Sequence, residues 1–201
     1  MASTDQLTPK VILLAAMEGL IVRCGEETDW RNPRPLSPTF VRLVGEVPML
    51  TDREGYAELV RRWLATHGPG TVDDAAWWIG ATKAAVRTAL TDVEAVPVSL
   101  DSGSIGGLLP DDVDPVPSPE SCVALLPLLD PAVMGWRHRD FLLGTHRGRL
   151  FDPVGNAGTT ALVDGRVVGV WVQDASGEVR VSELERLDGP IRARLASGPP
   201  P

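Results

Sequence analysis

Residues 68–100, GPGTVDDAAWWIGATKAAVRTALTDVEAVPVSL, restrict the fold of this chain more than any other stretch. Thr71 and Thr82 each precede a helix-favouring segment, where a threonine hydroxyl can accept a hydrogen bond from an amide of the first helical turn. Gly80 separates the two segments and is suited to ending a helix. Residues 93–100 then alternate apolar and polar side chains, as a half-buried strand does. The stretch therefore predicts two short helices followed by a strand.

A longer helix is predicted immediately before this stretch. Thr51-Asp52-Arg53-Glu54 is a capping box, in which the threonine and glutamate side chains each bond a backbone amide at the helix start. The apolar residues that follow have the i, i+3, i+4, i+7 spacing of one buried stripe. They are Tyr56, Leu59, Val60, Trp63 and Leu64. After the strand, Asp101-Ser102-Gly103-Ser104 supplies turn residues before 105–109, which predicts a hairpin. Residues 51–110 are therefore predicted to form a winged helix-turn-helix domain.

Residues 1–50 repeat the second half of that pattern. Thr8 is the predicted cap of a helix, Pro9 suits the first helical position, and Val11, Leu14 and Met17 form an apolar stripe. Ile21-Val22-Arg23 then leads into a hairpin turned by Gly25-Glu26-Glu27. The prediction is a partial winged helix with a recognition-type helix and a wing. Because the residues before Thr8 are few and polar, the chain is expected to be truncated and the stripe uncovered.

Residues 111–121 are predicted to be an acidic, proline-rich linker. Five acidic residues and no lysine or arginine fall between positions 101 and 120. The chain as a whole has 19 Lys+Arg against 27 Asp+Glu and a formal net charge of -8, so the linker contributes much of the acidity. Pro115, Pro117 and Pro119 lack the N–H group that a helix or central strand requires. A domain boundary is therefore expected there.

Residues 122–201 are predicted to form a small C-terminal β-barrel with a closing helix over 184–195. Apolar, strand-like runs separated by turn residues dominate this part, and Asp164-Gly165 is its strongest hairpin signal. The predicted strands are Ala124–Leu129, Phe141–Leu143, Leu150–Phe151, Thr159–Val163, Val167–Val172 and Val179–Val181. The fold class is therefore α+β, with a winged helix-turn-helix domain, preceded by a partial winged helix and followed by the barrel.

Composition excludes several other classes of protein. The longest apolar runs fall far short of the ~20 residues that a membrane-spanning helix needs. The N-terminus lacks the basic start and apolar stretch of a signal peptide, and Cys24 and Cys122 have no C-x-x-C partners. A cytoplasmic protein is expected, with no metal and no small-molecule cofactor. His138, Asp140 and His146 are metal-ligand types, but they do not have the spacing of a recognised site.

Four long motifs resemble those of the AlkZ-type DNA glycosylases. They are ELVRRWLATHGPGTVDDAAWWIG, LLPLLDPAVMGWRHRDFLLG, LFDPVGNAGTTALVDGRVVGVWVQ and ELERL. The resemblance covers nearly all of this chain and corresponds to the C-terminal part of the family's length. It implies winged-helix domains followed by a β-barrel, and hydrolysis of the N-glycosidic bond of alkylated or crosslinked bases without a metal or cofactor.

The catalytic motif of that family is not found in this sequence. The resemblance implies a glutamine-x-glutamine motif in the N-terminal winged-helix region, which positions the attacking water. This chain contains only Gln6 and Gln173. Gln6 precedes a helix that in the family lies downstream of the motif, and Gln173 lies in a predicted strand of the barrel. We therefore assign no catalytic residue and expect the chain by itself to be inactive.

Two surfaces are candidates for contact with double-stranded DNA. The first is the helix after Thr82 with the following wing, where cations and hydroxyls are able to meet phosphates. Its candidate residues are Lys83, Arg87, Thr88, Ser102 and Ser104. The second is the basic segment GWRHRDFLLGTHRGRL, which is predicted to form two strands along one edge of the barrel. Its candidate residues are Arg137, Arg139, Arg147 and Arg149.

Each candidate surface has an alternative interpretation. Lys83 and Arg87 are equally consistent with ordinary solvated charges on a helix that packs only against protein. Arg137 and Arg139 are equally consistent with ion pairs inside the protein. The carboxylates available for such pairs are those of Asp130, Asp140 and Asp152. The tryptophan pair Trp77-Trp78 favours core and interdomain contact over stacking on bases.

The sequence leaves three functions open. The first is weak, sequence-tolerant binding of duplex DNA by a truncated relative of the glycosylases. The second is an active glycosylase, if an N-terminal segment is supplied. The third is a non-enzymatic transcription regulator or protein-interaction module, of which a regulator is expected to prefer one DNA sequence.

Overall fold

The computed structural model describes residues 4–22, 24–26, 35–36, 38–45 and 50–197. The chain divides into two compact units, Met1–Leu50 and Thr51–Pro201. Both contain helices and strands, in agreement with the mixed α and β fold expected from the sequence. Among the described residues, no helix is long and apolar enough to cross a membrane.

The described residues of the unit Met1–Leu50 form two helices and one short strand pair. Its helices are α1 (Thr4–Met17) and α2 (Phe40–Val44), and its strands are β1 (Cys24–Glu26) and β2 (Pro35–Leu36), which pair antiparallel. The predicted cap at Thr8 is wrong, because α1 already begins four residues earlier. The helix continues through Pro9, although a proline inside a helix removes one backbone donor and its ring crowds the preceding turn.

The hairpin turn predicted in this unit is also misplaced. Gly25 and Glu26 lie in strand β1 rather than in a turn, while Arg23 and Glu27 fall outside the described residues. The strand pair has an irregular register between Cys24 and Glu26. Such a bulge shifts which residues face each other, and alternating hydrophobicity does not reveal it.

The apolar side chains of α1 are exposed to solvent. Val11, Leu14 and Met17 were expected to form an uncovered stripe, and their exposed fractions are 63%, 59% and 76%. Ile12 and Leu13 are also exposed, at 46% and 62%. The uncovered surface is therefore wider than the predicted stripe and extends around the helix.

The second unit begins with three helices whose caps match the sequence signals. They are α3 (Asp52–His67), α4 (Val72–Ile79) and α5 (Lys83–Asp92). The capping box at Thr51 and the cap at Thr82 are both present, and Gly80 ends α4 in the left-handed conformation with φ of 73°. Thr71 forms a second capping box, in which Asp74 replaces the usual glutamate.

The core of these helices is built largely by the predicted stripe of α3. Val60, Trp63 and Leu64 are buried and pack against Val86 of α5, among others. Leu59 was placed on the same stripe, but its side chain is 44% exposed and lies outside this core. The buried stripe of α3 is narrower than the predicted apolar stripe, because α4 and α5 cover only one side of the helix.

A two-stranded hairpin follows α5 and packs back against the start of α4. Its strands β3 (Val96–Ser99) and β4 (Ile105–Leu108) pair antiparallel in the predicted position. Gly107 exchanges two backbone hydrogen bonds with Gly70, of 2.8 and 3.2 Å. Gly70 must be glycine there, because a Cβ would overlap the ring of Trp63. The hairpin is thereby fixed to the segment that joins α3 to α4.

The C-terminal part of this unit contains an open four-stranded sheet, so the predicted barrel is wrong. Its antiparallel strands are β5 (Val123–Leu126), β6 (Thr160–Val163), β7 (Arg166–Gln173) and β8 (Val179–Glu183), in that spatial order. Among the described residues, β5 and β8 form no pair that would close a barrel. The C-terminal helix packs against both of these edge strands instead. A closed barrel would require β5 and β8 to pair with each other. The C-terminal helix covers these two edges in place of that pairing.

Several turns of this part follow from local sequence. Asp164 and Gly165 have φ of 49° and 77° and connect β6 to β7, as the Asp-Gly signal predicted. The Asp164 carboxylate also accepts a 2.8 Å bond from the amide of Cys122. The closing helix α9 spans Gly189–Ala196 rather than starting at residue 184, because Asp188 caps it by accepting a bond from the Ile191 amide. Residues 111–121 have no helix or strand and are exposed.

One of the predicted strands is a short helix, and another begins with the last residue of a helix. The segment between β5 and β6 forms α6 (Pro131–Met134), α7 (Asp140–Leu143) and α8 (Arg147–Leu150). The predicted strand at 141–143 is therefore wrong, and in that at 150–151 only Phe151 is extended, in an isolated antiparallel bridge with Ala157. Leu142, Leu143 and Leu150 are buried against the sheet. An apolar run of three or four residues buries its side chains equally well in either conformation, so periodicity cannot separate the two.

Candidate nucleic-acid interface

The exposed face of α5 carries the first predicted set of DNA contacts. Lys83, Arg87 and Thr88 all lie exposed on this helix. Lys83 Nζ lies 2.8 Å from a carboxylate oxygen of Asp73, so its charge is locally neutralised. Among the described residues, Arg87 has no such acidic partner. Arg87 is therefore the stronger cation of this face.

The hairpin tip is small and uncharged apart from one aspartate. Ser102 and Ser104 are exposed, and the Ser104 amide donates a 3.4 Å bond to the Ser102 hydroxyl. Gly103 between them has φ of 79°, a conformation that favours glycine in this tight turn. Asp101 begins the turn and Ile105 ends it with its side chain exposed. The tip is narrow enough for close approach to a groove but supplies no cation.

The basic segment does not form the two strands predicted for it, and its four arginines are not equivalent. Arg137, Arg147 and Arg149 are exposed, whereas Arg139 is only 2% exposed. The predicted role of Arg139 as a surface phosphate contact does not fit this burial. Its Nη1 donates a 2.8 Å bond to the Val133 carbonyl. Neither Arg137 nor Arg139 forms a salt bridge with a described carboxylate, so the alternative of internal ion pairs is not observed either.

Arg139 is enclosed by aromatic rings. Its guanidinium carbon lies 5.0 Å from the ring centre of Trp77 and 4.5 Å from that of Phe151. The guanidinium of Arg147 lies over the same phenyl ring at 5.6 Å. Burial, and secondarily the positive charge of Arg147, lower the pKa of Arg139. Contacts between cations and aromatic faces offset part of the cost of burying this charge.

Arg137 and His138 approach the start of α4. The His138 amide donates a 2.8 Å bond to Asp74, whose other carboxylate oxygen serves the capping box of α4. The pKa of Asp73 is lowered chiefly by its hydrogen bond from Lys83, and also by the charges of Arg137 and His138. The basic segment and the start of α5 therefore meet around Asp73. The sequence did not predict that the two candidate surfaces adjoin.

A joint of aromatic residues connects the three helices to the sheet part. Trp63 Nε1 donates a 3.1 Å bond to the Gly135 carbonyl, and Trp136 Nε1 donates a 2.8 Å bond to the His67 carbonyl. The His67 ring is 5% exposed and its centre lies 5.0 to 6.1 Å from those of Trp63, Trp78 and Trp136. Burial lowers the pKa of this imidazole. Sequence reasoning missed this cluster, although the three tryptophans within positions 63–78 were its signal.

The tryptophan pair of α4 belongs to the same junction. Trp77 contacts Arg139 and Trp78 contacts His67, while the two indoles remain 40% and 45% exposed. These contacts support a role of the pair in joining the helices to the sheet part, but their exposure shows that neither tryptophan is a core residue.

A cleft of about 790 Å³ lies between the hairpin tip, the start of α4 and the segment after Trp136. Its wall includes Trp136 and Phe141, whose ring centres are 5.2 Å apart at 85°. Asp101 and Asp140 also line it. The cleft is thus acidic and aromatic, and it suits neither a phosphate nor a metal ion bound by three ligands. No group of three potential metal ligands is present among the described residues.

The two glutamines of the chain lie far apart in sequence and in different units. Gln6 is part of α1, and its side chain falls outside the described residues. Gln173 ends strand β7, and its side-chain amide donates a 3.1 Å bond to the Gly177 carbonyl. This bond stabilises the β7–β8 turn.

Comparisons with known proteins identify the family. Residues 3–197 match the family described as DNA glycosylase AlkZ-like, so the match is not confined to a C-terminal part of the chain. The fold is similar to that of the Streptomyces sahachiroi DNA glycosylase AlkZ, with a TM-score of 0.72 and 19% sequence identity. The similarity covers 96% of this chain and 60% of that chain. The sequence has no match among curated proteins. Because the family match spans nearly the whole sequence, this chain belongs to the AlkZ-like DNA glycosylase family.

Proposed function

We propose that this chain is a DNA-repair-type protein that binds double-stranded DNA weakly and with little sequence preference. The observation that carries the proposal is the match of residues 3–197 to the AlkZ-like DNA glycosylase family. The exposed cations of α5 and of the basic segment, which adjoin around Asp73, supply the positive charge that a phosphate backbone requires.

We infer that α3, α4, α5 and the β3–β4 hairpin form a winged helix-turn-helix. Three features support this: the order of the elements, the short turn at Gly80 between α4 and α5, and the backbone bonds between Gly70 and Gly107. In this fold the second helix of the motif enters the major groove, which here is α5. Arg87 and Thr88 would then face the DNA, with the hairpin tip beside them.

The proposed function does not include base release by this chain alone, because the sequence contains no glutamine-x-glutamine motif. An active glycosylase is the first alternative, in which the catalytic groups are supplied by a further segment. A transcription regulator is the second. The three are separated by whether a duplex is bound, whether one sequence is preferred, and whether an alkylated base is released.

Fluorescence anisotropy with labelled duplexes of unrelated sequence, over a series of salt concentrations, tests the proposal. Each phosphate neutralised contributes about -0.9 to the slope of log K against log salt. Replacing Arg147 and Arg149 by alanine is expected to flatten this slope by ~1 to 2 and to weaken all duplexes alike. Lys83→Ala is expected to flatten it by at most about one, since Asp73 already neutralises Lys83.

The outcomes that would contradict the proposal are distinct. Failure of the wild-type chain to bind any duplex would remove DNA binding itself. A strong preference for one duplex sequence would favour the regulator. Equal slopes in the wild type and the double arginine variant would restrict the DNA-facing surface to the helix-turn-helix.

A further inference from the structure

The turn between α7 and α8 gathers arginine side chains from three places in the sequence. Arg147 begins α8, and the buried Arg139 lies just before α7. Arg166, from the start of β7, extends to this turn, where its Nη2 is 3.5 Å from the position that a Cβ on Gly144 would occupy. Arg147 and Arg166 are both exposed. The sequence analysis did not include Arg166 among the basic residues, because it lies nineteen positions after Arg147.

This turn is deficient in negative charge. In the described part of the chain, the ion pair recorded for this turn is that between Glu185 and His146 Nε2, at 3.6 Å. Within the described part of the chain, Arg139, Arg147 and Arg166 form no salt bridge. Some other exposed arginines of this unit pair with carboxylates, whereas Arg87, Arg137 and Arg149 do not within the described residues. The paired arginines are Arg53, Arg61, Arg62, Arg180 and Arg192.

The buried guanidinium beneath the turn increases its attraction for anions. Arg139 is 2% exposed, and its Nε atom has no hydrogen-bond partner. A charge surrounded by protein is screened less than one in water, so it acts more strongly on a nearby ion. Phe151 lies in contact with the guanidinium groups of both Arg139 and Arg147 and fixes their positions. Two neighbouring cations are destabilising unless an anion lies close to both.

We propose that the α7–α8 turn is a binding site for a backbone phosphate of duplex DNA, contacted by Arg147 and Arg166. Arg139 is a positioning residue that acts through Phe151 and through its buried charge. This inference rests on the proposed DNA binding and names the residues that perform it. The planar guanidinium suits the paired oxygens of a phosphate. The site is an open surface and the large cleft lies elsewhere, beside the hairpin, so a polymer phosphate is favoured over a small enclosed ligand.

Salt-dependent binding of the full chain to a labelled duplex tests this assignment. Arg147→Gln and Arg166→Gln are each expected to reduce the slope of log K against log salt by about 0.9, and the double variant by about twice that. Arg147→Lys is expected to retain the slope because it retains the charge. Arg180→Gln is the matched control, since this exposed arginine of the same sheet is paired with Asp174 and Glu178 and its loss is expected to leave the slope unchanged.

The role of Arg139 needs a readout other than stability. Arg139→Lys is expected to retain the salt slope, whereas Arg139→Met is expected to reduce it in protein whose near-ultraviolet circular dichroism remains that of the wild type. If Arg139→Met has a native spectrum and an unchanged salt slope, Arg139 contributes only to packing, and its positioning role is overturned. If Arg139→Met does not fold, the Phe151→Leu variant, which removes the ring beneath Arg147, is expected to weaken binding. Binding of Phe151→Leu equal to that of the wild type would also overturn the positioning role.

The remaining outcomes separate this inference from the proposed function. If the wild-type chain binds no duplex, the proposed function fails and this site fails with it. If the wild type binds but Arg147→Gln/Arg166→Gln has the slope of Arg180→Gln, only the site is overturned. Inorganic phosphate, added at constant ionic strength, is expected to compete no better than chloride. Strong competition that the double variant abolishes would identify free phosphate as the ligand and overturn the assignment to DNA.

Discussion

The indole nitrogen of Trp136 donates a 2.8 Å hydrogen bond to the backbone carbonyl of His67, across 69 positions of sequence. Trp63 donates in the opposite direction to Gly135, so two indoles cross-link the end of α3 to the segment after α6. The imidazole of His67 lies among the rings of this joint and is nearly excluded from water. This connection joins the helices that carry one candidate DNA-binding surface to the sheet part that carries the other.

Gly135→Ala is expected to destabilise the protein by about 1 to 3 kcal/mol, the usual cost of overpacking a core. A Cβ on Gly135 would lie 2.5 Å from His67 Nδ1, and the imidazole cannot move away because three indoles surround it. Urea denaturation gives the free energy of unfolding. Gly55→Ala is the control: it lies within α3 with no atom within 4 Å of its added Cβ, and is expected to be neutral or stabilising by up to ~1 kcal/mol. Equal effects of both substitutions would contradict the prediction.

Trp136→Phe is expected to cost about 1 to 3 kcal/mol, because the buried carbonyl of His67 loses its side-chain donor. Trp78→Phe removes an indole of the same cluster that donates no hydrogen bond within the described structure and is 45% exposed. This second variant is expected to be less destabilised. Thermal unfolding followed by tryptophan fluorescence compares the two, and a larger loss in Trp78→Phe would show that packing outweighs the hydrogen bond.

The free energy of unfolding is expected to fall as the pH is lowered from 7 towards 5. Burial lowers the pKa of His67 in the folded protein, whereas an unfolded histidine titrates near 6.5. The unfolded chain therefore binds more protons below about 6.5, and the stability present above that value is lost progressively on acidification. His67→Gln is expected to flatten this dependence, and His138→Gln, whose ring is exposed, to preserve it. Measurements stay above pH 5, since carboxylates titrate below that range.

Amide hydrogens of α1 are expected to exchange faster than those of α3. The apolar side chains of α1 from Val11 onwards are exposed, so little tertiary packing stabilises the helix, whereas α3 buries Val60, Trp63 and Leu64. Hydrogen exchange followed by mass spectrometry measures both segments in one sample. Protection of residues 8–45 equal to that of 54–64 would mean that the surface of α1 is covered in solution, for example by self-association.

Purified protein is expected to release no base from methylated or crosslinked duplex DNA. The chain contains no glutamine-x-glutamine motif, and Gln173 bonds the backbone of its own turn. Chromatography of the supernatant detects any free base. Release above a buffer control that is abolished by Gln6→Ala would assign a catalytic role to Gln6 and support the active-glycosylase alternative.

Local sequence determined those features whose stabilising contacts lie within a few residues. The capping box at Thr51, the cap at Thr82 and the turn at Asp164-Gly165 all formed as predicted, because each depends on side chains and backbone groups within one turn of chain. The hairpin after α5 followed from alternating hydrophobicity in the same way.

Tertiary structure alone decided which side chains are buried and how the elements close. The apolar run at 141–143 became a helix, Leu150 became the end of another, and α9 covered the sheet edges that a barrel would have paired. Arg139 is charged and was assigned to the surface, yet Trp77 and Phe151 enclose it. Each outcome depends on residues that are distant in sequence. No local pattern predicts which of them packs against a given side chain. Local hydrogen bonds thus determined the elements of this protein, and non-local burial determined which of its arginines remain available to bind.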